Sequence, residues 1–167
     1  MDRVFLFDWG NTLMVDDPAM SGKMKDWPQV SAIPGAKQVL KALAETNRIY
    51  VASGARDSDE RDIEAALERV GLSAYISGYF CPANLGQEKG SAAFLEAVLL
   101  RLSVLAQETV VVGDSYEKDI RPSLAVGVQP VWLCQDPTFE PDPSVRVISE
   151  LMELLFAAEQ SNKKGGA

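Results

Sequence analysis

The sequence predicts an α/β fold in which about five strands form a doubly wound parallel sheet between two layers of helices. Two short apolar runs, residues 4–7 and 110–112, each lead into a turn that carries an aspartate. Other apolar runs alternate along the chain with segments whose apolar residues recur at helical spacing. Strands that alternate with helices favour a parallel sheet joined by right-handed crossovers, which gives three layers.

Each element is predicted from a local pattern. The first strand, residues 3–8, is a continuous apolar run, which is typical of a strand buried on both faces. The other predicted strands are shorter apolar runs at residues 48–53, 75–81, 110–113 and 130–134. The predicted helices carry apolar stripes and cover residues 36–46, 59–70, 88–103, 117–126 and 147–159. Residues 14–33 and 136–146 are predicted to be irregular connections.

The composition indicates one domain, residues 1–160, with a disordered tail at 161–167. No apolar run approaches the ~20 residues that span a bilayer, and we expect neither a membrane partner nor secretion. Cys81 and Cys134 do not form a disulfide framework, which suits a cytoplasmic protein. The net charge of −8 argues against nucleic-acid binding. The absence of histidine excludes Ser-His-Asp and Cys-His catalysis.

Two aspartates mark the candidate site. Asp8 follows the first predicted strand and Asp114 follows the fourth. The carboxyl ends of parallel strands are where open α/β sheets bind ligands. Two converging carboxylates need a cation, and oxygen ligands suit Mg²⁺. The alternative is that each aspartate only begins a turn.

Four motifs in order resemble the haloacid dehalogenase superfamily of hydrolases, over residues 4 to about 133. They are Asp8-Trp9-Gly10-Asn11-Thr12-Leu13, then Ser53 after an apolar run, then Lys89, then Gly113-Asp114-Ser115-Tyr116-Glu117-Lys118-Asp119. The resemblance implies a Rossmann-like core and phosphatase chemistry with Mg²⁺. It further implies that Asp8 is the nucleophile and that Asp8, the Gly10 carbonyl and Asp114 hold the metal. Asp119 would support the metal site or Lys89, or would only favour its helix dipole.

The same resemblance indicates the phosphate contacts. Ser53 supplies a hydroxyl, while Gly54 and Ala55 supply backbone amides at a strand end. Lys89 would neutralise charge on Asp8 and the phosphoryl group, although a solvated lysine at a helix start is the alternative. Thr12 could add a hydroxyl beside Asp8 or only pack, and Arg56 could reach substrate or lie on the surface.

Gly10 departs from the family pattern. Phosphatases of the family normally carry an aspartate two residues after the nucleophile, as general acid and base. Three interpretations follow: a phosphohydrolase with an acid borrowed from elsewhere, Asp16 or Asp17 being candidates; a metal- and phosphate-binding or regulatory domain without turnover; or a dehalogenase or phosphonate hydrolase.

The spacing predicts a member without a cap domain. Leu13 and Pro34 are separated by only 20 residues (34 − 13 − 1), too few for a helical lid. The partner is then a phosphorylated substrate, which an open site allows to be large, and the oligomeric state is left open.

Overall fold

The fold is a six-stranded, entirely parallel sheet in a computed structural model that describes residues 2–156. The strand order is β3-β2-β1-β4-β5-β6. The strands are β1 (Val4–Phe7), β2 (Arg48–Ala52), β3 (Gly78–Phe80), β4 (Thr109–Gly113), β5 (Gln129–Leu133) and β6 (Arg146–Ile148). The three-layer α/β architecture predicted from the sequence is confirmed, and the described residues contain no separate cap domain.

Helices cover both faces of the sheet. They are α1 (Ala36–Ala44), α2 (Glu60–Arg69), α3 (Pro82–Leu85), α4 (Ala92–Leu102) and α5 (Arg121–Val126). The side chains of β1 alternate: Phe7 packs with the buried residues of α1 and α2, while Leu6 packs with those of α4. Each face of β1 is therefore buried under helices, which explains its uninterrupted apolar sequence.

The strand order places a topological switch point between β1 and β4. The chain builds outward from β1 through β2 to β3, then returns to add β4 on the other side of β1. β1 pairs with β2 and β4, with Phe7 opposite Val51 on one side and Val112 on the other. The connection that follows β1 runs toward β2 on one side, and the connection that follows β4 runs toward β5 on the other. Because these two connections diverge, a crevice opens at the carboxyl ends of β1 and β4.

Several element predictions need correction. The sheet has six strands instead of five, because the three-residue β6, which follows a proline-rich segment, adds to the sheet as an edge strand beside β5. Residues 147–159 are not one helix: β6 is followed by a 3₁₀ helix at Leu151–Leu155, and residues 157–159 lie outside the described part. The helix predicted from residue 88 begins at Ala92, because Gly90 has a φ of 105° and Ser91 caps the helix.

The predicted helix at 117–126 is a composite. It begins as a π-helical turn, Tyr116–Ile120, and continues as α5. Such wide turns are frequent at functional sites. The predicted tail, residues 161–167, lies outside the described residues.

The connection after β1 folds back against the sheet. Met14 pairs with Ala32 in an antiparallel bridge, and the amide of Val15 donates to the carbonyl of Ser31 at 3.0 Å. The loop between them includes a 3₁₀ turn, Met24–Asp26, that packs on α2. The predicted irregular segment is thus an ordered covering segment, residues 16–30. No helix within residues 2–156 is long and apolar enough to cross a bilayer.

Candidate active site

Asp8 is held at the carboxyl end of β1 by both backbone and side-chain contacts. Its amide donates to the carbonyl of Val112 at 2.9 Å, which extends the ladder between β1 and β4 by one residue. The chain then turns sharply, since the Trp9 carbonyl accepts from the amides of Leu13 and Met14 at 3.0 and 3.1 Å. This turn fixes the direction of the Asp8 carboxylate relative to β4.

Lys89 connects Asp8 with Asp119. Its ammonium lies 2.6 Å from Asp8 Oδ1 and 2.7 Å from Asp119 Oδ1, and it donates to the Ala52 carbonyl at 2.9 Å. The Lys89 and Asp119 side chains are only 8% and 1% exposed. The second oxygen of Asp119 accepts from the Ser115 amide at 3.0 Å. Lys89 is therefore a buried lysine with three oxygen partners, and not a solvated lysine at a helix start.

Thr12 links the carboxylates at the ends of β1 and β4. The Thr12 hydroxyl is fully buried and lies 3.2 Å from Asp8 Oδ2 and 3.3 Å from Asp114 Oδ1. A hydroxyl has one proton and can donate to only one of the two oxygens at a time. The Asp114 carbonyl accepts from the indole nitrogen of Trp132 at 3.0 Å, so β5 also holds this turn.

Burial and mutual charge shift the pKa values of Lys89 and of the three carboxyl groups around it. Burial would raise the pKa of Asp8, but the charge of Lys89 and hydrogen bonds from Asp114 and Lys89 bring it below its usual value. Burial, reinforced by the hydrogen bond and charge of Asp8, raises the pKa of Asp114 to about 7. Burial and the charge of Asp8 also raise the pKa of Asp119 to about 6, against the opposing effect of Lys89.

The opposite balance holds for the lysine. Burial would lower the pKa of Lys89, but the charges of Asp8 and Asp119 raise it above its usual value. The site therefore carries three carboxyl groups for one ammonium. This excess of negative charge is what a bound cation would relieve.

The donor set fits a divalent cation. Asp8, Asp114 and Asp119 each offer a carboxylate oxygen, and these oxygens lie within 4.8 Å of one another. All are hard oxygen ligands, which Mg²⁺ prefers, and the described residues include no sulfur or nitrogen ligand in the group. Both oxygens of Asp119 already have protein partners. Asp8 Oδ2 and Asp114 Oδ1 share the single proton of Thr12, so one of these two oxygens is always left without a donor and can accept a cation.

The phosphate-binding residues predicted from β2 also reach the site. Ser53 is 3% exposed, and its hydroxyl accepts from the Ala55 amide at 3.0 Å. Gly54 allows Lys89 to pass close to the backbone, because a Cβ atom at position 54 would lie 3.3 Å from Lys89 Cβ. Ser53, Gly54 and Ala55 line the same cavity as Asp8 and Lys89.

That cavity measures about 590 Å³. One wall is formed by the covering segment, which contributes Asp16, Met20, Gly22, Met24 and Trp27; the facing wall includes Asp57 and Ser58. Arg69 of α2 secures the segment by donating to the Trp27 carbonyl at 2.6 Å, and Lys23 pairs with Asp62 at 2.8 Å. The cavity thus has a wall on this side, although the part of the chain that the structure describes forms no cap domain.

Comparison with known proteins agrees with this geometry. The family model of haloacid dehalogenase-like hydrolases matches residues 22–127, more than half of the chain. The chain belongs to the haloacid dehalogenase-like hydrolases. A ribulose-1,5-bisphosphate 5-phosphatase from Halopiger xanaduensis is 32% identical over 133 residues, which are 80% of this chain and 53% of that relative. The chain therefore spans about half the length of this relative.

Solved structures share the fold of this hydrolase. The HAD-hydrolase YfnB from Bacillus subtilis, bound to magnesium, has a TM-score of 0.76 at 15% identity, covering 93% of this chain and 98% of its own. A 2-haloacid dehalogenase from Pseudomonas syringae has a TM-score of 0.74 at 17% identity, covering 96% and 99% respectively. These likenesses concern the fold alone.

The hydrolase brings most of the predicted site residues together, and Arg56 is the exception. Arg56 is not brought into the cavity: its guanidinium is exposed and lies 3.3 Å from Glu88. Thr12 is close to Asp8, but it bridges the two aspartates and does not line the cavity. The structure thus places the Thr12 hydroxyl beside Asp8, as one of the two sequence-based alternatives has it, and directs it to the carboxylates.

Some residues of the site were not singled out from the sequence. They are Gly113, Trp132 and the covering segment apart from Asp16 and Asp17, and none of them has a periodicity or charge pattern that points to the site. Gly113 stands inside a recognised motif, but only the packing of Asp119 against it shows why a side chain is excluded there. The Trp132 contact depends on the pairing of β4 with β5, which local sequence does not encode.

Proposed function

We propose that this hydrolase cleaves phosphomonoesters with Mg²⁺ through an aspartyl-phosphate formed on Asp8. The observation that carries the proposal is the contact of one buried ammonium, Lys89, with Asp8 at 2.6 Å inside a cluster of three carboxyl groups. The lowered pKa of Asp8 keeps this carboxylate ionised and available as a nucleophile. The phosphatase named among the relatives supports a phosphate ester as the substrate.

The chain's own residues suit such a transfer. The Asp8 carboxylate attacks phosphorus as the ester oxygen departs, and Lys89 offsets the negative charge that accumulates between them. The Ser53 hydroxyl and the amide of Gly54 offer donors for the phosphoryl oxygens at the end of β2, while the Ala55 amide orients the Ser53 hydroxyl by donating to it. Asp119 orients Lys89, while Thr12 keeps Asp8 and Asp114 at a fixed separation.

Asp8, Asp114 and the main-chain carbonyl of Gly10 would hold the metal, with Asp119 beside them. A bound Mg²⁺ supplies charge neutralisation for an anionic nucleophile that approaches an anionic ester.

The proposed substrate occupies the cavity between the covering segment and the turn that follows β2. A volume of about 590 Å³ accommodates a phosphate ester of a small metabolite. Phosphate-ester turnover is favoured over carbon–halogen cleavage because three carboxyl groups concentrate negative charge that calls for a cation. The alternative is a domain that binds metal and phosphate but does not turn over. The two possibilities share the same site, so a measured rate of phosphate release decides between them.

The test is direct. The purified protein is incubated with p-nitrophenyl phosphate and with glycerol 2-phosphate, with Mg²⁺ or with a chelator, and phosphate release is measured. We expect Mg²⁺-dependent release and an acid-stable, hydroxylamine-labile phosphoryl group on Asp8. Halide release from 2-chloropropionate provides a parallel assay for dehalogenation.

Asp8→Asn is the decisive variant, and Asp26→Asn is its control. Asp26 is an exposed aspartate whose one ion pair among the described residues is with the neighbouring Lys25. Asp8→Asn should lose the phosphoryl group and turnover, while Asp26→Asn retains both. Magnesium binding without any turnover would favour the binding domain, and metal-independent halide release would favour a dehalogenase.

A further inference from the structure

The position two residues beyond Asp8 has no side chain, because it is Gly10. Hydrolysis of a phosphate ester of an ordinary alcohol needs a proton for the departing oxygen and a base for the water that follows. Neither Lys89 nor Asp119 is free for this task, since each is buried and paired with the other. The site of the proposed function therefore needs a proton carrier from another part of the chain.

Asp16 lies directly against the position that a side chain at residue 10 would take. A Cβ atom built on Gly10 would lie 3.2 Å from Asp16 Cβ and 3.3 Å from Asp16 Oδ2. Asp16, Gly10 and Asp8 line one cavity. The carboxyl group that the chain lacks at position 10 is thus replaced in space by one from six residues further along.

The backbone holds Asp16 in this place. Its amide donates to Asn11 Oδ1 at 3.0 Å, and Asn11 has a φ of 59° within the turn after β1. The amide of the preceding residue, Val15, bonds to Ser31. The Asp16 carboxylate itself makes no hydrogen bond or ion pair with the described residues, so it is free to act on a ligand.

The neighbouring aspartate does not share this arrangement. Asp17 Oδ1 accepts from the Ala19 amide at 2.9 Å and stabilises the turn of its own loop. Asp17 is not among the residues that line the cavity. The structure therefore separates two adjacent aspartates that the sequence could not distinguish.

We propose that Asp16 is the proton-transfer residue of this hydrolase and replaces in space the side chain missing at Gly10. This proposal rests on the proposed function. In the first step, the P–O bond to the alcohol breaks as Asp8 bonds to phosphorus, and Asp16 gives its proton to the departing oxygen. In the second, Asp16 takes a proton from the water that attacks phosphorus, and the bond from phosphorus to Asp8 breaks. Asp16 is thereby reprotonated, and the products are the alcohol and phosphate.

The experiment compares Asp16→Asn with Asp17→Asn. Asparagine has the shape of aspartate but cannot carry the proton, and the hydrogen bond from the backbone amide of residue 16 to Asn11 Oδ1 is kept. We expect Asp16→Asn to lower kcat on glycerol 2-phosphate by about 10²–10⁴-fold. On p-nitrophenyl phosphate, whose leaving group needs no proton, it should leave a burst of p-nitrophenolate followed by slow turnover, with phosphorylated Asp8 accumulating. Asp17→Asn should stay within about twofold of wild type on both substrates.

A double variant that moves the carboxyl group from position 16 to position 10 distinguishes loss of the proton carrier from damage to the loop. Asp16→Gly removes the Cβ that a new side chain at position 10 would meet. Adding Gly10→Asp to Asp16→Gly should recover at least about tenfold of the turnover on glycerol 2-phosphate lost in Asp16→Gly alone. Recovery would show that the carboxyl group, and not the loop, is what the site requires.

The outcomes are separable. Unchanged turnover of glycerol 2-phosphate in Asp16→Asn overturns the role of Asp16. So does equal loss of the burst and of the later turnover, because that pattern marks a positioning defect. If wild type forms no phosphoryl group on Asp8, the proposed function itself fails.

Discussion

Gly113 and Asp119 pack so closely that no side chain fits at position 113. A Cβ atom there would overlap the carboxyl group of Asp119, which is buried and paired with Lys89. The last residue of β4 therefore determines where the charged cluster can form. A glycine is required here by contact and not by backbone conformation, since only a missing Cβ leaves room for the carboxylate.

Gly113→Ala should accordingly displace Asp119 and, through it, Lys89. We expect a loss of about 1–3 kcal/mol in the free energy of unfolding, as is usual for overpacking, and weaker Mg²⁺ binding. Chemical denaturation and metal titration measure the two effects. Gly78→Ala is the control: its Cβ would meet the Tyr50 ring at 3.0 Å, at the start of an edge strand. It should cost stability without changing metal affinity.

Lys89→Met tests the lysine that joins Asp8 to Asp119. The change leaves two carboxyl groups buried without their counter-charge, which costs about 3–5 kcal/mol of stability when both remain ionised. We expect turnover to fall by about 10²–10³-fold or more, because a charged donor to the reacting groups is lost. Thermal unfolding and phosphate release provide the measurements.

Lys118→Met is the matched control for that substitution. Lys118 also lines the cavity, but it is exposed, and no acidic partner pairs with it within residues 2–156. Its replacement should leave the unfolding free energy within about 0.5 kcal/mol of wild type. Equal destabilisation by both variants would contradict the structural role assigned to Lys89.

Metal binding should depend on pH through Asp114. Its pKa is raised to about 7 in the metal-free protein, first by burial and then by Asp8. Only the ionised form binds a cation, so Mg²⁺ affinity should fall as pH drops below 7, by up to about tenfold per pH unit. Calorimetry in buffers of different ionisation enthalpy should detect proton release on binding at pH 6, but much less at pH 8.5.

The stability of the metal-free protein should depend on pH in the opposite direction from its affinity for Mg²⁺. A carboxyl group whose pKa is higher in the folded than in the unfolded state binds its proton more tightly when folded. Its contribution to stability is therefore lost as pH rises from about 4 to 7. The increase in melting temperature caused by Mg²⁺ should be larger at pH 8 than at pH 5.5. Asp114→Asn should remove most of this difference; if it does not, another group carries the pH dependence.

Arg69→Met tests the covering segment. Arg69 donates to the carbonyls of Lys25, Trp27 and Pro28. We expect a stability loss of about 1–3 kcal/mol from the unpaired carbonyls and a KM that rises more than kcat falls, because the segment forms a wall of the cavity. Arg61 is exposed on the same helix, and Arg61→Met is the control. A change in kcat with unaltered KM would argue against a role of this wall in substrate binding.

Much of the cluster could be predicted from short stretches of sequence. Asp8, Lys89 and Asp114 each follow or precede a recognisable element, and four motifs in order limit the fold to one family. Apolar runs without polar interruption predicted β1, β2 and β4 because those strands are buried on both faces. β6 escaped prediction since three residues at a sheet edge have no periodicity to detect.

Local sequence patterns were sufficient for the order of the first five strands and the helices between them, for the family, and for the charged residues that stand at strand ends. These features can be recognised from residues that are close together in the sequence. Three features of the site follow from the three-dimensional packing: Asp119 pairs with Lys89, Thr12 bridges two carboxylates, and Asp16 rather than Asp17 reaches Gly10. Those outcomes depend on distances between residues far apart in sequence or on the direction of one loop. Strand pairing and packing set such distances, and no local pattern encodes them.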